Sequence, residues 1–219
     1  MTVNEITGLI RKDILLEIRQ KYALNGILLY VLSTVFVAYL SFGRIVEPPV
    51  WNALFWIIML FAAVNAVSKS FVQESAGRQL YYFNLAAPLS IILSKTIYNS
   101  LLMILLSILN ILIFSLLMGG FVQNWTVFCL TLLFGSIGLA SLLTMIAAIA
   151  SRTNNNFSLM AVLSFPIVLP LLLTLMKASM KAMEMTTLGE NAGLLLVILL
   201  LSILPAILAL LLFPYLWQD

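Results

Sequence analysis

Six long apolar runs dominate the chain, and short polar connections separate them. Each run has about 20 residues and almost no charge, which is the length a helix needs to cross the hydrocarbon core of a bilayer. The runs are continuous in Leu, Ile, Val, Phe and Met, without the alternation typical of membrane β-strands. The pattern predicts an all-α membrane protein with six transmembrane helices at 23–42, 50–67, 96–118, 125–150, 157–176 and 192–213.

The first 22 residues follow a different pattern, in which charged residues are interspersed with apolar ones at helical spacing. The apolar positions are Val3, Ile6, Ile10, Ile14 and Ile18. Segment 1–22 is therefore predicted to form an amphipathic interfacial helix on the membrane surface, and 23–219 the membrane domain. A plain positively charged anchor is the alternative reading of the same segment.

The distribution of Lys and Arg predicts the orientation of the spans. With the N-terminus in the cytoplasm, the outer connections hold only Arg44, Lys177 and Lys181 of the 11 basic residues. Because cytoplasmic connections carry the excess of basic residues, both termini are predicted to be cytoplasmic. The basic residues are scattered at span ends and form no cluster, so the net charge of +3 does not indicate nucleic-acid binding.

Several kinds of chemistry are excluded by composition. The chain has no histidine, and Cys129 is its only cysteine, so neither an intrachain disulfide nor a cysteine-cluster metal site can form. No stretch resembles the GxxxxGK[ST] loop that cradles ATP phosphates. The chain is therefore not predicted to be an enzyme, and any ATP would be bound by a partner subunit.

The spans contain neutral polar and small residues rather than deep charges, which disfavours an ion-coupled carrier. Gly135, Gly138 and Ser141 are spaced to line one side of the fourth span. Small residues at such spacing allow helices to approach closely, although the lining of a substrate path is the alternative. The other polar positions are Asn65, Asn99, Ser107, Asn110, Thr131, Ser136 and Thr144.

The connection 68–95 is too long and too patterned for a simple turn. A short helix within it can dock its apolar face on a soluble partner, while an interfacial hairpin with aromatic residues at headgroup level is the alternative. Its candidate contact residues are Glu74, Gly77, Arg78, Leu80 and Pro88.

The fifth span contains Pro166 and Pro170, four residues apart. Each proline removes a backbone donor and clashes with the preceding turn, so this helix is predicted to be kinked or broken near the middle of the membrane. Such a break suits a moving part or a pathway wall, and a static kink is the alternative.

Lys177, Met180 and Lys181 follow the fifth span and form a candidate contact at the outer face. Cations beside soft apolar side chains can receive an amphipathic anion. The same lysines can equally be anchors whose amines reach towards water.

These motifs together resemble those of ABC-2-type permeases. The resemblance rests on the N-terminal amphipathic helix, the six spans, and the connection in which Glu74, Gly77 and Leu80 precede Pro88 and Lys95. It implies that the N-terminal helix is an elbow helix, and that 68–95 is the coupling segment contacting a separate P-loop ATPase.

Within that group the chain resembles the heme exporter protein B family, chiefly through Pro166 and Pro170. Where that family has a Leu-rich stretch ending in proline, this chain reads Asn-Leu-Ala-Ala at 84–87 before Pro88. The resemblance implies heme as the substrate, a homodimer, heme-handling membrane subunits as partners, and the bacterial inner membrane as the location. Alternatives are a permease for another hydrophobic substrate and a scaffold that does not transport.

Overall fold

The computed structural model describes residues 3–19, 21–42, 46–72, 87–151, 156–184 and 186–216, and all regular structure in these ranges is helical. Of the seven helices found there, the last six are long and apolar enough to cross a membrane. The predicted fold class is therefore confirmed. The helices are α1 (Val3–Arg19), α2 (Lys21–Phe42), α3 (Pro48–Val72), α4 (Pro88–Met118), α5 (Trp125–Ala150), α6 (Asn156–Met183) and α7 (Leu188–Leu216).

Helix α5 is the centre of the bundle and packs against α3, α4, α6 and α7. Of its spanning residues 78% are buried inside the chain, against 17% for α2 at the periphery. A Cβ at Gly135 would lie only 2.7 Å from Leu175 Cδ2 and 3.0 Å from Trp56 Cη2. The prediction that small residues on this helix serve close packing is confirmed.

The predicted start of the third span was wrong, since α4 begins at Pro88 and not at residue 96. Pro88 occupies the first turn, where a missing N–H costs nothing, and the Ala87 carbonyl accepts from the N–H groups of Ser90 and Ile91. Lys95 had suggested a polar connection, but it lies inside the helix. Helix α3 continues to Val72 and α4 begins at Pro88. The predicted coupling segment 68–95 is therefore helical at both of its ends.

Helix α6 passes through Pro166 and Pro170 without interruption between Asn156 and Met183, so the predicted break is absent and the kink stays a prediction. Both prolines are exposed, which keeps their rings away from the packed side of the helix. The carbonyl of Pro170 accepts a hydrogen bond from Thr174 Oγ1 at 2.7 Å. The helix also extends past residue 176, the predicted end of this span.

The remaining boundaries differ less. The fourth span, 125–150, is confirmed residue for residue, and the first and last helices of the membrane domain begin two and four residues before their predicted starts of 23 and 192. Gly119 ends α4 with a φ of +84°, a conformation that L side chains rarely adopt, and its N–H bonds to the Ser115 carbonyl at 3.1 Å.

Candidate functional site

The spans alternate in direction, so the bundle has two ends. The α1 end contains α1 and the start of α4. The far end contains the starts of α3, α5 and α7 and the C-terminal turns of α4 and α6. Hydrogen bonds join these elements, one from Trp51 to Gly119 and one from Asn124 to Ala182. These two ends are built from different kinds of polar group.

At the α1 end, a buried ion pair joins α1 to α4. Lys95 Nζ lies 3.3 Å from Asp13 Oδ1, and only about 6% of either side chain is exposed. Lys12 Nζ lies 3.4 Å from the same oxygen but is more exposed. A pair buried to this extent holds its two helices together only while both charges are present, because either charge alone is costly in the interior.

Further contacts extend the junction along both helices. Ser90 Oγ donates a hydrogen bond of 3.1 Å to Glu5 Oε2, and the Tyr98 side chain lies beside Glu17. Since the partners advance along α1 and α4 in the same direction, α1 runs alongside the first three turns of α4.

The outward side of α1 is apolar, because Ile14, Leu15 and Ile18 are 40–61% exposed. Arg11 and Arg19 are exposed as well. Helix α1 thus presents acidic groups to α4 and apolar groups away from the bundle. Its position on a membrane surface stays a prediction.

Sequence reasoning missed this junction. Glu5, Asp13 and Glu17 fall on one side of a helix at spacings of eight and four residues, which is the signal that marks an acidic face. Lys95 inside an apolar run is the complementary signal. The sequence pattern assigns the first group to an interfacial helix and Lys95 to the end of the connection 68–95, so it does not predict that they pair.

The structure places one of the predicted coupling residues beside this junction. Pro88 opens α4 two residues before Ser90, which contacts Glu5. The other predicted coupling residues lie outside the described residues: Glu74, Gly77, Arg78 and Leu80. The last part of the predicted coupling segment, where α4 begins, therefore contacts α1 directly.

At the far end, neutral side chains form a buried network between α3 and α6. Asn52 Nδ2 donates to the Met176 carbonyl at 2.7 Å, and Ser179 Oγ lies 2.7 Å from Asn52 Oδ1. Trp56 Nε1 donates to Ser179 Oγ at 2.8 Å. Asn52, Trp56 and Ser179 are each no more than 3% exposed, so these bonds are shielded from competing water.

Asparagine side chains also form hydrogen bonds with the connections at the far end. Asn124 caps α5 by accepting from Val127 N–H, and its Nδ2 donates to the Thr186 carbonyl at 2.8 Å. Asn191 Nδ2 donates to Thr186 Oγ1 at 2.6 Å. The connections before α5 and α7 are therefore tied to each other.

The predicted outer-face contact lies in the last two turns of α6 rather than beyond the helix. Lys177 is exposed, Lys181 is partly buried, and Met180 packs against the core. Met180 thus belongs mainly to the packing of the bundle, and Lys177 is the most accessible of the three. A role in substrate contact stays a prediction.

Asn110 in the second half of α4 is fully buried, and neither its amide nitrogen nor its amide oxygen has a hydrogen-bond partner among the described residues. Asn99, three turns earlier, donates to Thr144 Oγ1 of α5 at 2.9 Å. The polar side chains of α4 therefore include one that is bonded near the α1 end, Asn99, and one without a partner among the described residues in the second half of the helix, Asn110.

Six helices that are long and apolar enough to span a membrane, with α5 buried at the centre of the bundle, define a polytopic α-helical membrane protein. A family model described as CcmB protein matches residues 4–215, so the chain belongs to the CcmB protein family. Members of this family are the membrane permease subunit of the heme exporter for cytochrome c maturation, and its ATPase is a separate protein. Comparison with curated proteins returns no match.

Proposed function

We propose that this chain is the permease through which a separate P-loop ATPase drives heme handling at the outer face of the bacterial inner membrane. The match over residues 4–215 carries the assignment to the exporter. The output is either heme export or release of a heme-loaded chaperone. The chain works as a homodimer together with heme-handling membrane subunits, and both of its termini lie in the cytoplasm.

The junction between α1 and α4 supports a route for the mechanical step. Closure of the ATPase around nucleotide displaces the coupling segment 68–95, whose exit at Pro88 leads directly into α4. The buried pair between Asp13 and Lys95 makes α1 follow α4, because separating them strands a buried charge. Helix α2 comes immediately after α1 and is the least buried span, so it can shift with little loss of packing.

Charge reversal at Glu74 and added bulk at Gly77, both in the coupling segment, test this function. Glu74→Lys and Gly77→Trp are expected to lower formation of c-type cytochromes by about tenfold or more. The complex is purified, its ATP hydrolysis is measured, and holocytochromes are quantified in membranes of the same cells. Hydrolysis that continues while cytochrome formation falls identifies uncoupling.

Glu184→Lys is the matched control, because Glu184 is an exposed acidic residue at the far end. Normal holocytochrome levels in both coupling variants would contradict the proposed function. Cytochrome formation that persists when the ATPase is inactivated would instead support a scaffold that does not transport. A complex that hydrolyses ATP in response to another apolar compound but not to heme would support a permease for a different substrate.

A further inference from the structure

The polar side chains that tie α7 to the rest of the bundle lie in its first half. At the far end, Asn191 Nδ2 donates to Thr186 Oγ1 at 2.6 Å. Further along the helix, Ser141 Oγ of α5 donates to the Ser202 carbonyl at 2.9 Å. Every residue between Ser202 and Tyr215 is apolar. Over this stretch α7 can therefore be held to its neighbours only by packing.

The tie at Ser202 is a close one, because Gly138 of α5 faces it. A Cβ at Gly138 would overlap Ser202 Oγ, so the missing side chain leaves room for the serine. Ser202 Oγ donates to the Ile198 carbonyl at 2.7 Å and lies 3.3 Å from the Phe134 carbonyl of α5. Close backbone approach and interhelical hydrogen bonds are the contacts that hold helices together within a membrane. The turn that contains Ser202 is therefore a fixed point between α5 and α7.

Pro205 follows this fixed point within one turn and is buried. Because proline has no N–H, the Leu201 carbonyl loses the donor that it would have in an uninterrupted helix. A helix bends most easily where such a bond is missing. The position of easiest bending in α7 thus comes directly after its last polar tie to α5.

Residues 206–214, called the arm from here on, pack into the bundle through few side chains. Four of the large apolar side chains in the arm are 38–60% exposed: Ile207, Leu208, Leu211 and Leu212. Phe213 is the only large side chain of the arm that is buried, at 1% exposure. A segment with few buried contacts moves at a lower cost than the rest of a fold. Release of the Phe213 ring is therefore the main loss of packing when the arm moves.

We propose that α7 is a hinged helix. Residues 188–202 stay fixed against α5, and the arm pivots about Pro205 when Phe213 leaves its place in the core. The arm ends at the α1 end of the bundle, and α7 also packs against α4, the helix into which the coupling segment leads. A displacement of α4 moves the arm while the far end stays in place, and this use of the hinge rests on the proposed function.

The length of the arm sets the size of the movement. Leu211 lies six positions after Pro205, which is about 9 Å along a helix. A bend of about 20° at Pro205 therefore moves Leu211 by about 3 Å. Leu196 lies before Pro205 on the same helix and stays in place.

Spin-label distances measure this movement in the purified chain. Cys129→Ser removes the native cysteine, and a label at Leu116, 68% exposed near the far end of α4, is paired with a label at Leu211 or at Leu196. Phe213→Ala is expected to change the distance from 116 to 211 by about 3 Å and to leave the distance from 116 to 196 as it was. Equal changes at both positions would show that α7 moves as one body, and no change at either would show a fixed arm. Both results would overturn the hinge.

Pro205→Ala tests the position of the pivot. Alanine restores the missing N–H, so the distances to Leu211 are expected to become narrower in a chain that keeps Phe213, and the change caused by Phe213→Ala is expected to be mostly lost. Pro214→Ala is the matched control, because Pro214 lies on the same helix beyond Leu211, and it is expected to leave these distances unchanged. An effect of Phe213→Ala that is equal with and without Pro205 would place the pivot elsewhere and overturn the proposal.

The complex with its ATPase tests whether transport uses the hinge. A non-hydrolysable ATP analogue is expected to change the distance from 116 to 211 by about 3 Å and not the distance from 116 to 196. Unchanged distances on nucleotide binding would overturn this use of the arm, while the labels in the purified chain decide whether the hinge exists. The proposed function is decided separately by Glu74→Lys and Gly77→Trp, which do not enter the label measurement, so the failure of one is distinguishable from the failure of the other.

Discussion

The two ends of the bundle are held together by different chemistry. At the far end, amide, hydroxyl and indole groups bond to one another and to helix carbonyls, as in the network of Asn52, Trp56 and Ser179. At the α1 end, the pair of Asp13 and Lys95 joins α1 to the first turns of α4. Neutral networks tolerate the loss of one member better than a buried pair of charges does.

This contrast separates a fixed end from an end that can transmit motion. The far-end bonds connect α3 to α6, and α5 to the segment before α7, so they lock several elements at once. The ion pair at the α1 end connects α1 to α4, next to the exit of the predicted coupling segment at Pro88. In the proposed mechanism, a displacement applied there carries α1 and α4 while the far end stays closed.

The largest expected effect comes from breaking the ion pair. Lys95→Met leaves Asp13 buried without its closest partner, and we expect a loss of about 3 kcal/mol in the free energy of unfolding. The measurement is unfolding in mild detergent followed by the near-ultraviolet signal of tryptophan. The double variant that adds Asp13→Leu is expected to recover most of this loss, because the stranded charge is removed.

Lys12→Met is the control for that experiment. Lys12 approaches the same carboxylate oxygen but is 21% exposed, so its removal is expected to cost less than about 1 kcal/mol. Equal losses for the two lysine variants would show that burial does not distinguish them, and the comparison between the two ends would fail.

Intermediate effects of opposite sign are expected when asparagine is replaced by leucine in two different helices. Asn52→Leu removes two bonds of the far-end network and is expected to destabilise by about 1–3 kcal/mol. Asn110→Leu replaces a buried amide that has no partner among the described residues, and it is expected to stabilise by about 1 kcal/mol or more.

The same unfolding measurement decides both asparagine variants, and each serves as the control for the other. If Asn110→Leu destabilised the protein as much as Asn52→Leu, Asn110 would have to contribute a bond in the folded state. The sharp division between satisfied and unsatisfied amides would then not hold.

The smallest effect is expected at the exposed lysine of the far end. Lys177→Gln should change the free energy of unfolding by less than about 0.5 kcal/mol, because an exposed side chain on the last turns of α6 makes little contribution to packing. Holocytochrome formation in the same variant tests substrate contact separately. A drop in formation at unchanged stability would support that contact, and an unchanged level would favour a simple anchor.

The pattern of apolar and polar residues predicted the bounds of a helix well where the composition of the segment alone decides them. The span 125–150 was predicted correctly because apolar residues fill it and Asn124 and Ser151 bound it. The start of α4 was predicted wrongly because Lys95 and its neighbouring serines look polar in sequence. The helix accommodates these polar side chains. Ser94 Oγ donates a hydrogen bond to the Ile91 carbonyl at 2.8 Å, and Lys95 pairs with the carboxylate of Asp13, which is far away in the sequence.

The same limit applies to the prolines of α6. Their local effect, loss of a donor and steric conflict, is visible in sequence and predicts a kink or a break, of which only the kink stays a prediction. The observed helix continues through them, and both rings lie on its exposed side. Which side of a helix is exposed depends on its neighbours, and a pattern within one helix does not contain that information.

Sequence by itself determined the number of spans, the amphipathic character of the N-terminal helix and the absence of a P-loop, because each depends on residues close together in the chain. Only the tertiary structure decided that Asp13 meets Lys95 across 82 positions, that Asn52 bonds to Met176 across 124, and that Asn110 finds no partner among the described residues. These outcomes depend on how helices rotate and pack against one another. That rotation is set by the whole bundle, and above all by the close approach that Gly135 and Gly138 allow at α5.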